Sequence, residues 1–290
     1  MALVKVNQLL VDGLPKLLAE NPAKLAEANA EIEKFKTKTG IDARAFDQLA
    51  LGMHYRYPRA GITKFDTVGL ARGSFKAAAF VAAGKAAAKG KYREEKYHGA
   101  TIYIFTLDEQ IKIYGLPTIP VHDLAVTALG SDLLALGNPE AVHGMIDQGK
   151  GRPTGNQELI KLATQDANAL IGFGGNVTPA LLQNLKIENE GIAKDVSTIR
   201  QVYGTMGLSA RDFDVFLAAR TTDAVSAKNL SDTIDGLRQL GALFVGRLPA
   251  PRGPVARTAL DNLKITTVGN ELRIRTAVAQ AQIGPLMRGM

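Results

Sequence analysis

Lys85, Lys89, Lys91, Arg93 and Lys96 crowd one short stretch, with Tyr92 and Tyr97 among them. Cations that contact phosphates, interleaved with rings that stack on bases, are the usual means of holding a nucleic acid or another anionic polymer. Glu94 and Glu95 interrupt the run. A helix end followed by an exposed hairpin also gathers lysines to stay wet and to discourage edge pairing, so we read the stretch first as a solvated face and second as an anion-binding patch.

A second candidate is a repeat. Gly40-Ile41-Asp42-Ala43-Arg44-Ala45-Phe46-Asp47 returns as Gly207-Leu208-Ser209-Ala210-Arg211-Asp212-Phe213-Asp214. Arg44 and Arg211 could present two related forks to anions. A glycine closing a helix, an arginine that bonds helix carbonyls or the aspartate three residues on, and a phenylalanine entering a strand also make a structural joint. We read the pair as that joint, with Phe46 and Phe213 as core anchors and Asp47 and Asp214 as its ends.

Other chemistry finds little purchase. Ile171-Gly172-Phe173-Gly174-Gly175-Asn176 places glycines where phosphate loops occur, but it lacks the dinucleotide spacing and the lysine of a P-loop, so we read a turn. His54, His98, His122 and His143 show no metal-type spacing and read as isolated residues. No nucleophile elbow or zinc-protease motif occurs. The chain has no cysteine, which excludes disulfides, thiolate catalysis and thiolate-bound zinc. We expect no cofactor and no metal, and no catalytic residue can be named.

These residues must be carried by a chain of 290 residues with 46% hydrophobic and 22% charged content, ordinary for a globular protein. Its net charge of +7 is local, since residues 51–100 hold ten Lys/Arg against three Asp/Glu. No window approaches the roughly eighteen apolar residues of a membrane helix. The opening Met1 to Val6 reads as a strand entered without a leader, so we expect a signal segment to precede it in the full protein.

The pattern predicts a first strand at Leu3 to Val6 and a helix from Pro22, capped by Asn21 and stopped by Gly40. It then predicts a hairpin from Phe46 to Arg72, an alanine-rich helix from Ser74 to Lys89, and a second hairpin turning at His98-Gly99. Strands at Leu124 to Leu129 and Leu133 to Leu136 lead to a helix at Pro139. Gly149 to Gly155 reads as a linker. A constant offset of 167 (207 − 40) maps Ala2-Leu3-Val4 onto Ala169-Leu170-Ile171 and predicts a strand from Ala169 to Phe173 and a helical region from Thr178 to Gly207. After it come a strand from Phe213 to Arg220 and a helix from Leu230 capped by Asn229. The Pro249 to Pro254 segment stands in place of the Tyr92 to Thr106 hairpin. Finally Leu124-Ala125-Val126 matches Leu263-Lys264-Ile265. The expected fold is α+β: two tandem homologous domains, 1–165 and 166–290, each a mostly antiparallel sheet with helices packed on one face.

The opening strand, the apolar strand from Phe46 to Leu51, the Arg72-Gly73-Ser74-Phe75 step into a helix and the Tyr97-His98-Gly99-Ala100-Thr101-Ile102-Tyr103 hairpin resemble a loosely defined group of uncharacterised secreted or lipoprotein-type bacterial proteins. The resemblance implies a periplasmic or secreted location and transfers no catalytic residue. The expected function is a non-catalytic binding or scaffold protein outside the cytoplasm, with an unidentified protein or polymer partner. The alternatives are a binder of nucleic acid or anionic polymer through Lys85 to Lys96, and a hydrolase with an unrecognised carboxylate pair.

Overall fold

A computed structural model describes residues 1–59, 62–111, 119–149, 156–183, 187–209, 212–248 and 252–280. In chain order the elements begin β1 (Ala2–Val4), α1 (Val6–Gln8), α2 (Leu14–Leu17), α3 (Pro22–Thr39), β2 (Phe46–Arg59), β3 (Ile62–Gly73) and α4 (Ala77–Ala88). They continue with β4 (Tyr92–Tyr97), β5 (Ala100–Ile111), β6 (Ile119–Ala128), β7 (Leu133–Gly137), α5 (Pro139–Gly149) and α6 (Gln157–Ala163). The last group is β8 (Ile171–Asn176), α7 (Pro179–Gln183), α8 (Glu190–Ser197), β9 (Ile199–Leu208), β10 (Asp212–Thr221), α9 (Ala224–Val245), α10 (Arg252–Asp261), β11 (Lys264–Val268) and β12 (Glu271–Ala279). The chain divides into two compact units, one of residues 3–8 and 28–156 and the other of residues 1–2, 9–27 and 157–290. Of the expected linker, Gly149 to Gly155, Gly149 ends α5 and residues 150–155 lie outside the described residues.

In the amino-terminal unit the strands run β1-β2-β3-β7-β6-β5-β4. The β2–β3, β3–β7, β7–β6, β6–β5 and β5–β4 pairings are all antiparallel. Pleating sends alternate residues of β5 to opposite faces. Phe105 packs with Ala71, Val126 and Leu134 beneath Ala77 and Val81 of α4. Ile102 and Ile104 meet Val142 and Ile146 of α5 with Ala125 between them. Helices therefore lie on both faces of this sheet. The His98-Gly99 turn forms as expected, both residues having positive φ (46° and 84°), the conformation that a two-residue hairpin of this hand requires. Asn21 caps α3, its Oδ1 accepting from the Lys24 amide at 3.2 Å.

The carboxy-terminal unit orders its strands β11-β12-β10-β9-β8, again antiparallel throughout. Three expectations fail here. Residues 199–208 form β9 and not the end of a helix. Residues 171–176 form β8, which overlaps the strand expected at Ala169 to Phe173 and carries it on through the glycines read as a turn. The long helix starts at Ala224, capped by Asp223 through the Ser226 amide, and not at Leu230 behind Asn229. The segment after Pro251 is helix α10, which takes the chain position that the β4–β5 hairpin has in the other unit. Among the described residues no helix is long and apolar enough to cross a membrane.

The eight-residue echo also fails as a register. Gly40 ends α3 with φ +72°, and Asp42 to Ala45 forms a single 3-10 turn into β2. Gly207 lies within β9, paired with Asp214 of β10. Phe46 opens the first strand of its hairpin, whereas Phe213 sits on the second strand of another. Strand order supplies a different correspondence: β1-β2-β3-β7-β6 runs in the sequence order that β8-β9-β10-β12-β11 repeats.

Candidate functional site

The sequence candidates are placed as follows. Asp42 Oδ1 accepts from the Arg44 amide at 2.9 Å, and this hydrogen bond is the main cause of its lowered pKa. The Arg44 guanidinium reaches Glu33 at 3.2 Å and Asn29 at 3.0 Å on α3, which ties the helix to the turn. Phe46 packs on Phe75 at 4.7 Å between ring centres. Arg211 lies outside the described residues. In the basic stretch Lys85 pairs with Glu94 at 2.8 Å and Arg93 with Asp123 at 3.0 Å. Lys85 also lies over the Tyr92 and Tyr103 rings, and Lys96 donates to the Thr101 hydroxyl. Lys89 adopts positive φ as the cap of α4. Lys89, Lys91 and Lys96 form no ion pair among the described residues.

Two histidines are not isolated. His98 and His143 flank the Tyr97 ring at 4.2 and 4.1 Å between ring centres. His98 Nδ1 lies 2.7 Å from Asp147, and His143 Nε2 lies 2.7 Å from Glu95. This ties the β4 end to α5. The partners stand more than forty positions apart along the chain, so spacing gave no sign of them. His54 is exposed, and the side chain of His122 is outside the described residues. No group of three or more metal-type ligands occurs among the described residues.

Sequence reasoning missed a cleft of about 910 Å³ on one face of the carboxy-terminal sheet. Strand register builds its floor in rows. Lys264, Arg275, Phe216, Thr205 and Gly172 stand side by side across β11, β12, β10, β9 and β8. The next row is Thr266, Arg273, Ala218, Tyr203 and Gly174, of which Arg273 and Tyr203 line the cleft, and a third row beyond the lining contains Glu271, Arg220, Gln201 and Asn176. Helix α6 covers the β8–β9 end, packing Leu159 and Leu162 on Tyr203, Ala218 and Phe216. Asp166, Asn168 and Asp214 also line the cleft.

A buried ionic network fixes the third row. The Glu271 side chain is 8% exposed and accepts from Arg220 at 3.0 Å and Arg273 at 2.6 Å. Arg220 continues to Glu158 at 2.7 Å and Gln201 at 2.8 Å, and Gln201 donates to Asn176 at 2.9 Å. Burial pushes the Glu271 carboxyl up, but hydrogen bonds from Tyr203, Arg273 and Arg220 outweigh it and hold the pKa below the ordinary value of 4.5. Burial, then the hydrogen bond to Glu271, pushes the Tyr203 phenol up to about 12. Arg220 lies over the same ring at 5.3 Å.

That phenol gives a direct check of the network. Tyrosinate absorbance is expected to include a late phase near pH 12 that is missing in Tyr203→Phe. A late phase that survives the substitution would assign it to another ring.

The first row carries different chemistry. Arg275 stacks on Phe216 at 4.7 Å and stands directly opposite Lys264. Neither cation forms an ion pair among the described residues. Thr205 is only 6% exposed on the cleft floor, and its hydroxyl has no side-chain hydrogen bond among the described residues.

No protein-family profile matches the sequence, and no curated protein matches it. Among solved structures, crystal form III of TP0453 aligns over 100% of this chain and 93% of its own, with TM-score 0.50 and 10% identity. Crystal form IV aligns with TM-score 0.46 at 11% identity, covering 99% of this chain and 91% of that one. At such identity the likeness concerns the fold alone: this chain shares its α+β architecture, helices on antiparallel strands, with TP0453.

Proposed function

We propose that the protein is a non-catalytic binding protein acting outside the cytoplasm, and that the cleft on the carboxy-terminal sheet is its ligand seat. The observation that carries this reading is Thr205, a hydroxyl buried at the floor of a 910 Å³ concavity with no side-chain partner among the described residues. A buried polar group without a partner costs about 1–3 kcal/mol, which a ligand or an ordered water would relieve. A concave face with a few converging polar groups is the usual form of a small-molecule site. The extracytoplasmic setting is supported by the resemblance carried by Arg72 to Phe75 and Tyr97 to Tyr103. Common descent of the two units is part of the same proposal, supported by their matching strand orders.

Polymer binding through Lys85, Lys89, Lys91, Arg93 and Lys96 has weaker support, because Glu94 and Asp123 neutralise two of the five cations. The test is a titration of isotope-labelled protein with a library of neutral, cationic and anionic fragments. The expected result is that bound fragments shift the amides of Tyr203, Thr205 and Phe216 together. Shifts confined to the Lys85–Lys96 hairpin, or none at the cleft from any fragment class, would overturn it.

A further inference from the structure

The cleft is asymmetric in charge, and the asymmetry selects a ligand class. Lys264 and Arg275 are direct cross-strand neighbours on one face. Like charges so placed destabilise a sheet. Some cations of this unit are matched: Arg220 and Arg273 share Glu271, Lys228 meets Asp232, and Arg238 meets Asp235, while Lys161, Lys194 and Arg200 stand singly without an acid among the described residues. Lys264 and Arg275 have no such acid among the described residues. The Arg275 guanidinium lies over the Phe216 ring at 4.7 Å, a cation–π contact that restrains it beside an aromatic surface. Asp214, two residues along β10 from Phe216, and Asp166 also line the cleft.

Building on the reading of the cleft as a ligand seat, we propose that it takes a small organic anion. A carboxylate or phosphate head sits between Lys264 and Arg275, and the body of the ligand lies over Phe216 toward Thr205. Two converging cations favour an oxyanion, and the guanidinium plane matches it in two-point fashion. The Thr205 hydroxyl and Asp214 then take donors at the far end of the ligand. The same two aspartates argue against an extended polyanion, whose backbone charge would have to run across Asp214 and Asp166. Size agrees with this, since a concavity of about 910 Å³ falls within the range of small-molecule sites.

The experiment compares three probes that share one ring, benzoate, phenyl phosphate and benzyl alcohol, with a short oligothymidylate as the polyanion. Each is titrated into the isotope-labelled full chain at low salt. Benzoate or phenyl phosphate is expected to shift the Phe216 and Arg275 amides, and whichever binds tighter identifies the head group. Benzyl alcohol and the oligothymidylate are expected to leave both amides in place. The double variant Lys264→Glu with Arg275→Glu is expected to weaken anion binding roughly tenfold or more, and the milder Lys264→Gln with Arg275→Gln pair should weaken it in the same direction while keeping the native melt. Equal binding of benzyl alcohol, an oligothymidylate seated in the cleft, or charge-reversed protein that binds the anions within about twofold of the native chain would overturn the inference. Neutral or cationic fragments that occupy the cleft while anions do not would overturn it and leave the binding-site reading standing.

Discussion

Glu271→Ala should destabilise the carboxy-terminal unit by about 3 kcal/mol, because it removes the one acid that two guanidiniums share inside the protein. The carboxylate is 8% exposed and the arginines 33% and 39%, so the loss falls mainly on charges that cannot all rehydrate in place. Glu158 is the contrast: it pairs with the same Arg220 but is 57% exposed, and Glu158→Ala should cost less than about 1 kcal/mol. Linkage fixes the pH dependence. The pKa of Glu271 is depressed in the folded state, so its contribution is complete above the ordinary value of 4.5 and is lost as pH falls through the lower folded value. The stability gap between native protein and Glu271→Gln should therefore be constant near neutrality and close on acidification below about pH 4.5. Urea melts at several pH values measure it. A gap unchanged down to the acid limit, or a neutral Glu271→Ala, would mean that water and not Glu271 balances Arg220 and Arg273.

How much of this was legible follows from the physics of each element. The His98-Gly99 hairpin and the Asn21 cap depend on neighbours within a few residues, and local rules located both. Strand β9 was hidden by an analogy. Val202, Gly204 and Met206 alternate with Gln201, Tyr203 and Thr205, a period of two visible in the sequence, yet matching Gly207 to the helix-ending Gly40 imposed a helix on it. For β8 the pattern placed a strand at Ala169 to Phe173, but the glycines pointed to a turn at its end, although glycine inside a strand also marks a place where another backbone comes close. The cleft could not be read at all. Glu271, Arg273 and Arg275 share a face by simple alternation, but their opposition to Phe216 and Lys264 depends on β12 lying between β10 and β11, an order that no local signal encodes. The Tyr97, His98 and His143 cluster escaped for the same reason.

The glycine of β8 leads to the second large effect. A Cβ on Gly172 would lie 1.9 Å from the Ala163 carbonyl oxygen at the end of α6, a backbone atom that cannot rotate away. Gly172→Ala must therefore push α6 off the sheet or displace β8, at a cost of about 3 kcal/mol or more. Because Leu159 and Leu162 of α6 pack on Tyr203 and Phe216, the lifted helix should also disturb the covered end of the cleft, and the late Tyr203 titration should move back toward pH 10 as its ring gains water. Gly175 is the internal control. It lies three residues on in the same strand, nothing stands within 4 Å of an added Cβ there, and its φ is not in the left-handed range, so Gly175→Ala should melt close to the native protein. Equal melts for the two variants would show that α6 does not rest on β8 as closely as the Gly172 contact requires. A destabilised Gly172→Ala protein whose Tyr203 still titrates near 12 would separate the helix contact from the ionic network, leaving Glu271 and its arginines as the sole support of that ring.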